Sequence, residues 1–141
     1  MAEDNQKGAV KITSGTGEVI SLNTTNVVIS FRTMNQDVLS KGTSMALTVT
    51  IFGKITDTNV PEIIKIFNWS KSFNREGLYR TLEIVSTPGE KVDRKYKIPE
   101  MFVVNYKENL GKETGSSDPQ GVEFELVLRQ KEECFDQIKT Y

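Results

Sequence analysis

The clearest pattern in the chain is alternation. Over residues 26–33, Val27, Ile29 and Phe31 alternate with Val28, Ser30 and Arg32, the period-two mark of a half-buried strand. Residues 45–53 repeat it, with Met45, Leu47, Val49 and Ile51 on one face and Ala46, Thr48, Thr50 and Phe52 on the other. Residues 122–130 do so a third time. There Val122, Phe124, Leu126 and Leu128 share a face opposite Glu123, Glu125, Val127 and Arg129. Shorter strands are predicted over 10–13 and 18–22, on either side of a Gly15-Thr16-Gly17 turn. Another covers 78–86, with Leu82 and Ile84 inward. A charged strand over 91–98 and an apolar one over 101–106 are separated by Pro99, which marks a bulge or an edge position. Thr87-Pro88-Gly89-Glu90 has the order of a type II turn. The tail, 131–141, reads either as a short helix or as a terminal strand.

One segment changes period. Asn59-Val60-Pro61-Glu62 places a capping residue three before a glutamate, with proline in the first turn, where its missing N–H costs nothing. Val60, Ile63, Ile64 and Phe67 then follow at i, i+3, i+4 and i+7, which predicts a helix over about 60–70 with this stripe toward the core. Trp69 and Phe73 continue the core or belong to an interface. Seven or eight short strands and one packed helix indicate a mainly β fold, a barrel or sandwich, in one domain over 1–141 with 1–8 as a flexible leader. Two polar connections are long. The segment Met34-Asn35-Gln36-Asp37-Val38-Leu39-Ser40-Lys41-Gly42-Thr43-Ser44 links two strong strands where two to five residues are usual. It is either a functional loop or a plain surface loop. Residues 109–121 form the second.

Composition narrows the function more than it narrows the fold. The 141 residues include 18 Lys and Arg against 19 Asp and Glu, a net charge of −1, which argues against a general binder of nucleic acid or anionic membranes. No histidine is present, so triads and metal sites built on imidazole are excluded. The single cysteine, Cys134, forms no internal disulfide and reads as an ordinary residue. Glu123 and Glu125 share the polar face of one strand, a common exposed spacing rather than a hydrolytic pair. Gly15-Thr16-Gly17 lacks the lysine and following helix of a phosphate loop. Asp57-Thr58-Asn59 and Ser116-Ser117-Asp118 lack calcium-loop spacing. The basic run over 91–97 is either a nucleic-acid contact or, the favoured reading, an edge strand protected by charge. No catalytic, cofactor-binding or metal-ligating residue is assigned, and an enzyme is not expected. No apolar stretch approaches the roughly 20 residues needed to span a bilayer. The polar start, MAEDNQKGAV, has no apolar signal core, so synthesis in the cytosol is expected, with any export by a route other than a cleaved signal.

The order of elements carries a resemblance. The stretch 46–55, the helix from Asn59 to Trp69, the turn at Thr87-Pro88-Gly89, and strands over 98–106 and 122–130 split by a Gly/Ser/Asp loop together resemble the tail-tube family. That family includes tube proteins of contractile phages and phage-like particles and the Hcp tube protein of type VI secretion. The resemblance spans roughly 26–130. It implies a β-barrel flanked by a helix that forms hexameric rings, stacked into a hollow tube in a phage tail or phage-like particle. It implies that 34–44, Met34 to Ser44, reaches the neighbouring ring. The implied partners are other copies of the chain, sheath, baseplate and tape-measure proteins, and DNA or protein cargo held without sequence specificity. The alternative from the residues alone is a monomeric β-sandwich that binds carbohydrate or peptide, with Trp69, Tyr79, Phe102 and Tyr106 as a platform.

Overall fold

A computed structural model describes residues 8–33, 45–72, 75–86, 94–110, 122–131, 134 and 137–140. Eight strands occur in it: β1 (Gly8–Thr13), β2 (Val19–Thr24), β3 (Asn26–Thr33), β4 (Met45–Lys54), β5 (Arg80–Ser86), β6 (Arg94–Asn109), β7 (Glu123–Gln130) and β8 (Lys139–Thr140). Helix α1 (Val60–Lys71) and the single turn α2 (Arg75–Leu78) lie between β4 and β5. The strands form one antiparallel sheet in the order β2-β1-β5-β6-β7-β4-β3, with β8 against β6.

The connection from β2 to β3 dictates the shape of this sheet. Its two outer strands are separated in sequence by Thr25 alone. Laid flat, seven strands about 4.8 Å apart would hold their outer members about 29 Å from each other. One residue bridges at most about 7 Å, so the sheet must curl until its ends meet at one corner. There Thr25 donates its N–H to the Phe52 carbonyl at 2.9 Å and its hydroxyl to the same oxygen at 3.2 Å. Gly53 lies at the same corner, and a Cβ there would stand 2.7 Å from the Phe124 ring. The ends meet without pairing along their length, so the barrel is not closed by hydrogen bonds among the described residues.

The long strand β6 makes the opposite corner. It pairs with β5 over Arg94–Met101 and with β7 over Met101–Asn109, passing from one half of the sheet to the other. Register slips by one residue where Leu82↔Ile98 gives way to Arg80↔Met101, and Glu100 in that bulge has φ 60. Bulges of this kind turn strands between packed layers. The Pro99 carbonyl accepts from Gln130 Nε2 at 3.0 Å, and the Glu100 carbonyl from the Lys131 N–H at 2.8 Å. The two strands expected over 91–98 and 101–106 are therefore one within 94–109, because proline at a bulge need not donate to the ladder. β5 likewise begins at Arg80, with Leu78 in α2 rather than in the strand.

The core lies between the halves. Val10, Ile12, Ile20, Leu22, Leu82 and Ile84 face Leu47, Val49, Ile51, Phe124, Leu126 and Leu128, all buried. In β4 and β7 the rows Leu47, Val49, Ile51 and Phe124, Leu126, Leu128 face the core, whereas in β3 Val27 and Ile29 are half-buried and Phe31 is exposed. Helix α1 forms where expected but is rotated. It buries Ile63, Ile66 and Trp69, whereas Ile64 stays 54% and Phe67 48% exposed. Asn59 also departs from the capping box. Its side chain accepts from the Thr56 N–H at 2.8 Å and donates to the Lys54 carbonyl at 2.8 Å, tying the β4–α1 connection instead of the first helical turn. Trp69 donates Nε1–H to the Leu78 carbonyl at 3.0 Å and lies under the Arg80 guanidinium at 5.2 Å. Arg80 also pairs with Glu18 at 3.1 Å, so one enclosed cation fastens β5, α1 and the turn before β2.

Candidate assembly edges

The residues weighed for chemistry in the sequence fall in separate parts of the fold. Glu123 and Glu125 lie on the outer face of β7, and Glu125 is paired with Lys107 across the strands at 3.8 Å. Such exposed pairs contribute at most about 1 kcal/mol. Cys134 is buried. Among the described residues, no group of acids and cysteines converges as a metal site would require. No helix is long and apolar enough to cross a membrane there. The four aromatics considered as a platform are engaged in packing within the fold. Trp69 is 1% exposed, Tyr79 meets Phe102 edge to face at 5.8 Å, and Tyr106 packs with Phe67 and Phe124. The segment Met34 to Ser44 lies outside the described residues.

The distinctive chemistry belongs to the backbone at strand edges. Every edge strand exposes N–H and C=O groups that invite another strand. On β2 the helix takes two of them. Glu62 Oε1 accepts from the Ser21 N–H at 3.1 Å, Lys65 Nζ donates to the Val19 carbonyl at 3.2 Å, and the two side chains pair at 3.7 Å. On the charged part of β6 the edge is occupied differently, because β8 pairs with Tyr96 and Lys97. The basic run is thus partly covered, and Arg94 stacks on Tyr96 at 5.2 Å.

Two edges differ from these. β3 pairs with β4 alone, and β6 over 102–109 pairs with β7 alone among the described residues. They bound one half of the sheet, β6-β7-β4-β3. Its outer face carries Val28, Ser30, Thr48, Thr50, Asn105 and Val127, with Arg32, Lys54, Lys107 and Arg129 beside the two glutamates. β3 is not blunted by charge along its middle, since Val28 is 46% and Phe31 55% exposed. Beside the open part of β6, Phe67 of α1 stands edge to face on Tyr106 with centroids 6.5 Å apart. The Tyr106 hydroxyl donates to Glu108 Oε2 at 2.6 Å. Burial, followed by that bond and the glutamate charge, pushes the hydroxyl well above its usual range, so it stays a donor. None of these pairings is legible from composition. The one local sign is the placement of Glu62 and Lys65 together on one flank of the helix.

The likeness to known proteins is carried by structure alone. No family model matches the chain, and no curated protein matches it by sequence. A solved Hcp protein superposes with a TM-score of 0.63 at 8% identity, over 87% of this chain and 88% of that one. Hcp1 from Flavobacterium johnsoniae gives 0.53 at 12% identity, over 93% of each. A chain from the sheath–tube complex of an extracellular contractile injection system, PVC in its extended state, gives 0.60 at 13% identity, over 99% and 91%. The curled sheet with its flanking helix is the Hcp-like tube fold.

Proposed function

We propose that this chain is a structural subunit, not an enzyme, that joins copies of itself into rings which stack as the inner tube of a phage tail or phage-like contractile particle. The observation that supports the reading is a sheet half bounded by two strands, each of which pairs on one side only among the described residues. β6, β7, β4 and β3 alternate in direction. Because the half contains an even number of strands, β3 of one copy meeting β6 of the next would run antiparallel, like every pair within the chain. Contacts of this head-to-tail kind close into rings when the rotation allows.

Six copies, the number the resemblance implies, would close a barrel of about 24 strands, well beyond the 16–18 that already leave an aqueous channel. The core occupies one face of the half, so the other would line the channel. Its hydroxyls, amides and mixed charges suit passage of DNA or protein without sequence specificity. The segment 34–44 joins β3 to β4 at one end of these strands, where a ring would meet its neighbour, and is proposed as the stacking contact. Sheath, baseplate and tape-measure proteins are the further partners proposed, with assembly into the particle following synthesis in the bacterial cytoplasm. Light scattering and negative-stain microscopy of the purified chain test the reading. Rings or tubes with a central hole are expected, whereas a monomer of 15.9 kDa persisting at high concentration would contradict it.

A further inference from the structure

The outer face of the other sheet half is more basic than the chain as a whole. Ser21, Lys11, Glu83, Lys97 and Lys139 stand directly opposite one another on β2, β1, β5, β6 and β8, one row across five strands. Their neighbours along the strands, Ile12, Ile20, Leu82, Ile84 and Ile98, are buried, which places the row on the side away from the core. The next row is Asn23, Ala9, Val85 and Lys95. Four lysines therefore share this face with Glu83, in a chain whose net charge is −1. Glu100, at the β6 bulge, lines a cleft at one end of it with Thr13, Thr81, Glu83 and Lys97. Among the described residues the ion pairs form elsewhere, at Lys65, Arg80 and Lys107.

Lys97 opposite Lys139 is a like-charge pair, which is destabilising on a sheet. Edge protection does not account for these lysines. β8 already covers β6 at Lys97, and Lys11 lies in β1, flanked by β2 and β5. A face selected only for solubility intersperses both signs of charge. Beside the lysines, Val85 is 38% exposed and shares with Ala9 a shallow groove of about 320 Å³, which Lys11 and Glu83 also line. We infer that this face docks an acidic segment of a partner protein. Its carboxylates meet Lys11, Lys97 and Lys139, and an apolar side chain lies on Ala9 and Val85. A nucleic-acid strand fits less well, because its phosphates repeat without a gap while Glu83 and Val85 interrupt the cationic track. The surface belongs to the sheet half that the ring reading leaves unused, so it is independent of that reading.

Fluorescence anisotropy with a labelled oligo-glutamate peptide, beside a labelled oligothymidylate of equal length, tests the surface. The wild-type chain is expected to bind the peptide more tightly than the oligonucleotide, and less tightly as salt rises. Lys97→Glu with Lys139→Glu should weaken peptide binding about tenfold, since two attractions become repulsions. Lys54→Glu with Lys71→Glu makes the same change in net charge on β4 and α1, and should leave binding within about twofold. Lys139→Glu alone replaces the like-charge opposition by an opposite-charge pair. Its melting midpoint should rise while its peptide binding falls, a split that a purely structural lysine would not show. If the doubly substituted chain proves unfolded, Lys11→Glu, on the middle of the face, decides the case by the same readout. A wild-type chain that does not bind the peptide, equal weakening by both pairs, or tighter binding of the oligonucleotide would overturn the docking surface.

Discussion

At β2 two outward backbone groups are taken up by Glu62 and Lys65, while among the described residues β3 pairs with β4 alone and residues 102–109 of β6 with β7 alone. A chain under pressure only to avoid aggregation would blunt every edge, with charge, proline or a covering element. Sealing one and leaving two has a different consequence. With β2 removed from play, the remaining open edges bound one sheet half, and their joining preserves its antiparallel alternation. Helix α1 has Ile63, Ile66 and Trp69 beneath it, the Glu62–Lys65 pair on one flank and Phe67 on the other. In the proposed ring, assembly polarity would thereby be built into the monomer.

The comparison can be broken most forcefully at Trp69. Trp69→Ala is expected to cost about 3–5 kcal/mol, read as a lowered urea midpoint. It removes the anchor of α1 and leaves Arg80 without its ring, so the helix contacts to β2 should be lost with it. Gly53→Ala strikes the corner where the sheet ends meet. Its new Cβ would press on the Phe124 ring from 2.7 Å, and a loss of about 1–3 kcal/mol is expected in the same assay. Replacing Glu62 and Lys65 together by alanine sharpens the contrast. Stability should fall by only about 1 kcal/mol, but an unsealed β2 should add irregular, larger species to the mass distribution. The smallest effect is a gain. Glu100 occupies φ 60, where a side chain is strained, and Glu100→Gly should raise stability by up to about 1 kcal/mol while leaving assembly unchanged.

Much of this was present in the sequence as faces but not as neighbours. Alternation located β3, β4 and β7 and oriented their rows, because a half-buried sheet forces period two. β1 and β2 are as fully formed as these, yet their core contribution of Val10, Ile12, Ile20 and Leu22 is interrupted by polar residues and gave a weaker signal. Helix α1 was legible in position and not in rotation. Its apolar residues cover two adjoining stripes, one meeting the core and one the surface, and periodicity cannot tell these apart. Pro99 split β6 on paper because the bulge that accommodates it depends on β5 and β7. Which edges are open depends on strand order, which is settled only when Thr25 and the β6 bend bring distant segments together.

Hydrogen exchange of backbone amides, measured on dilute monomer and on assembled rings, tests the central claim most directly. Assembly should slow exchange in 26–33 and 102–109 and leave 19–24, already sealed by the helix, as it was. Rings in which 26–33 and 102–109 exchange as in the monomer, or in which 19–24 alone becomes protected, would contradict the account.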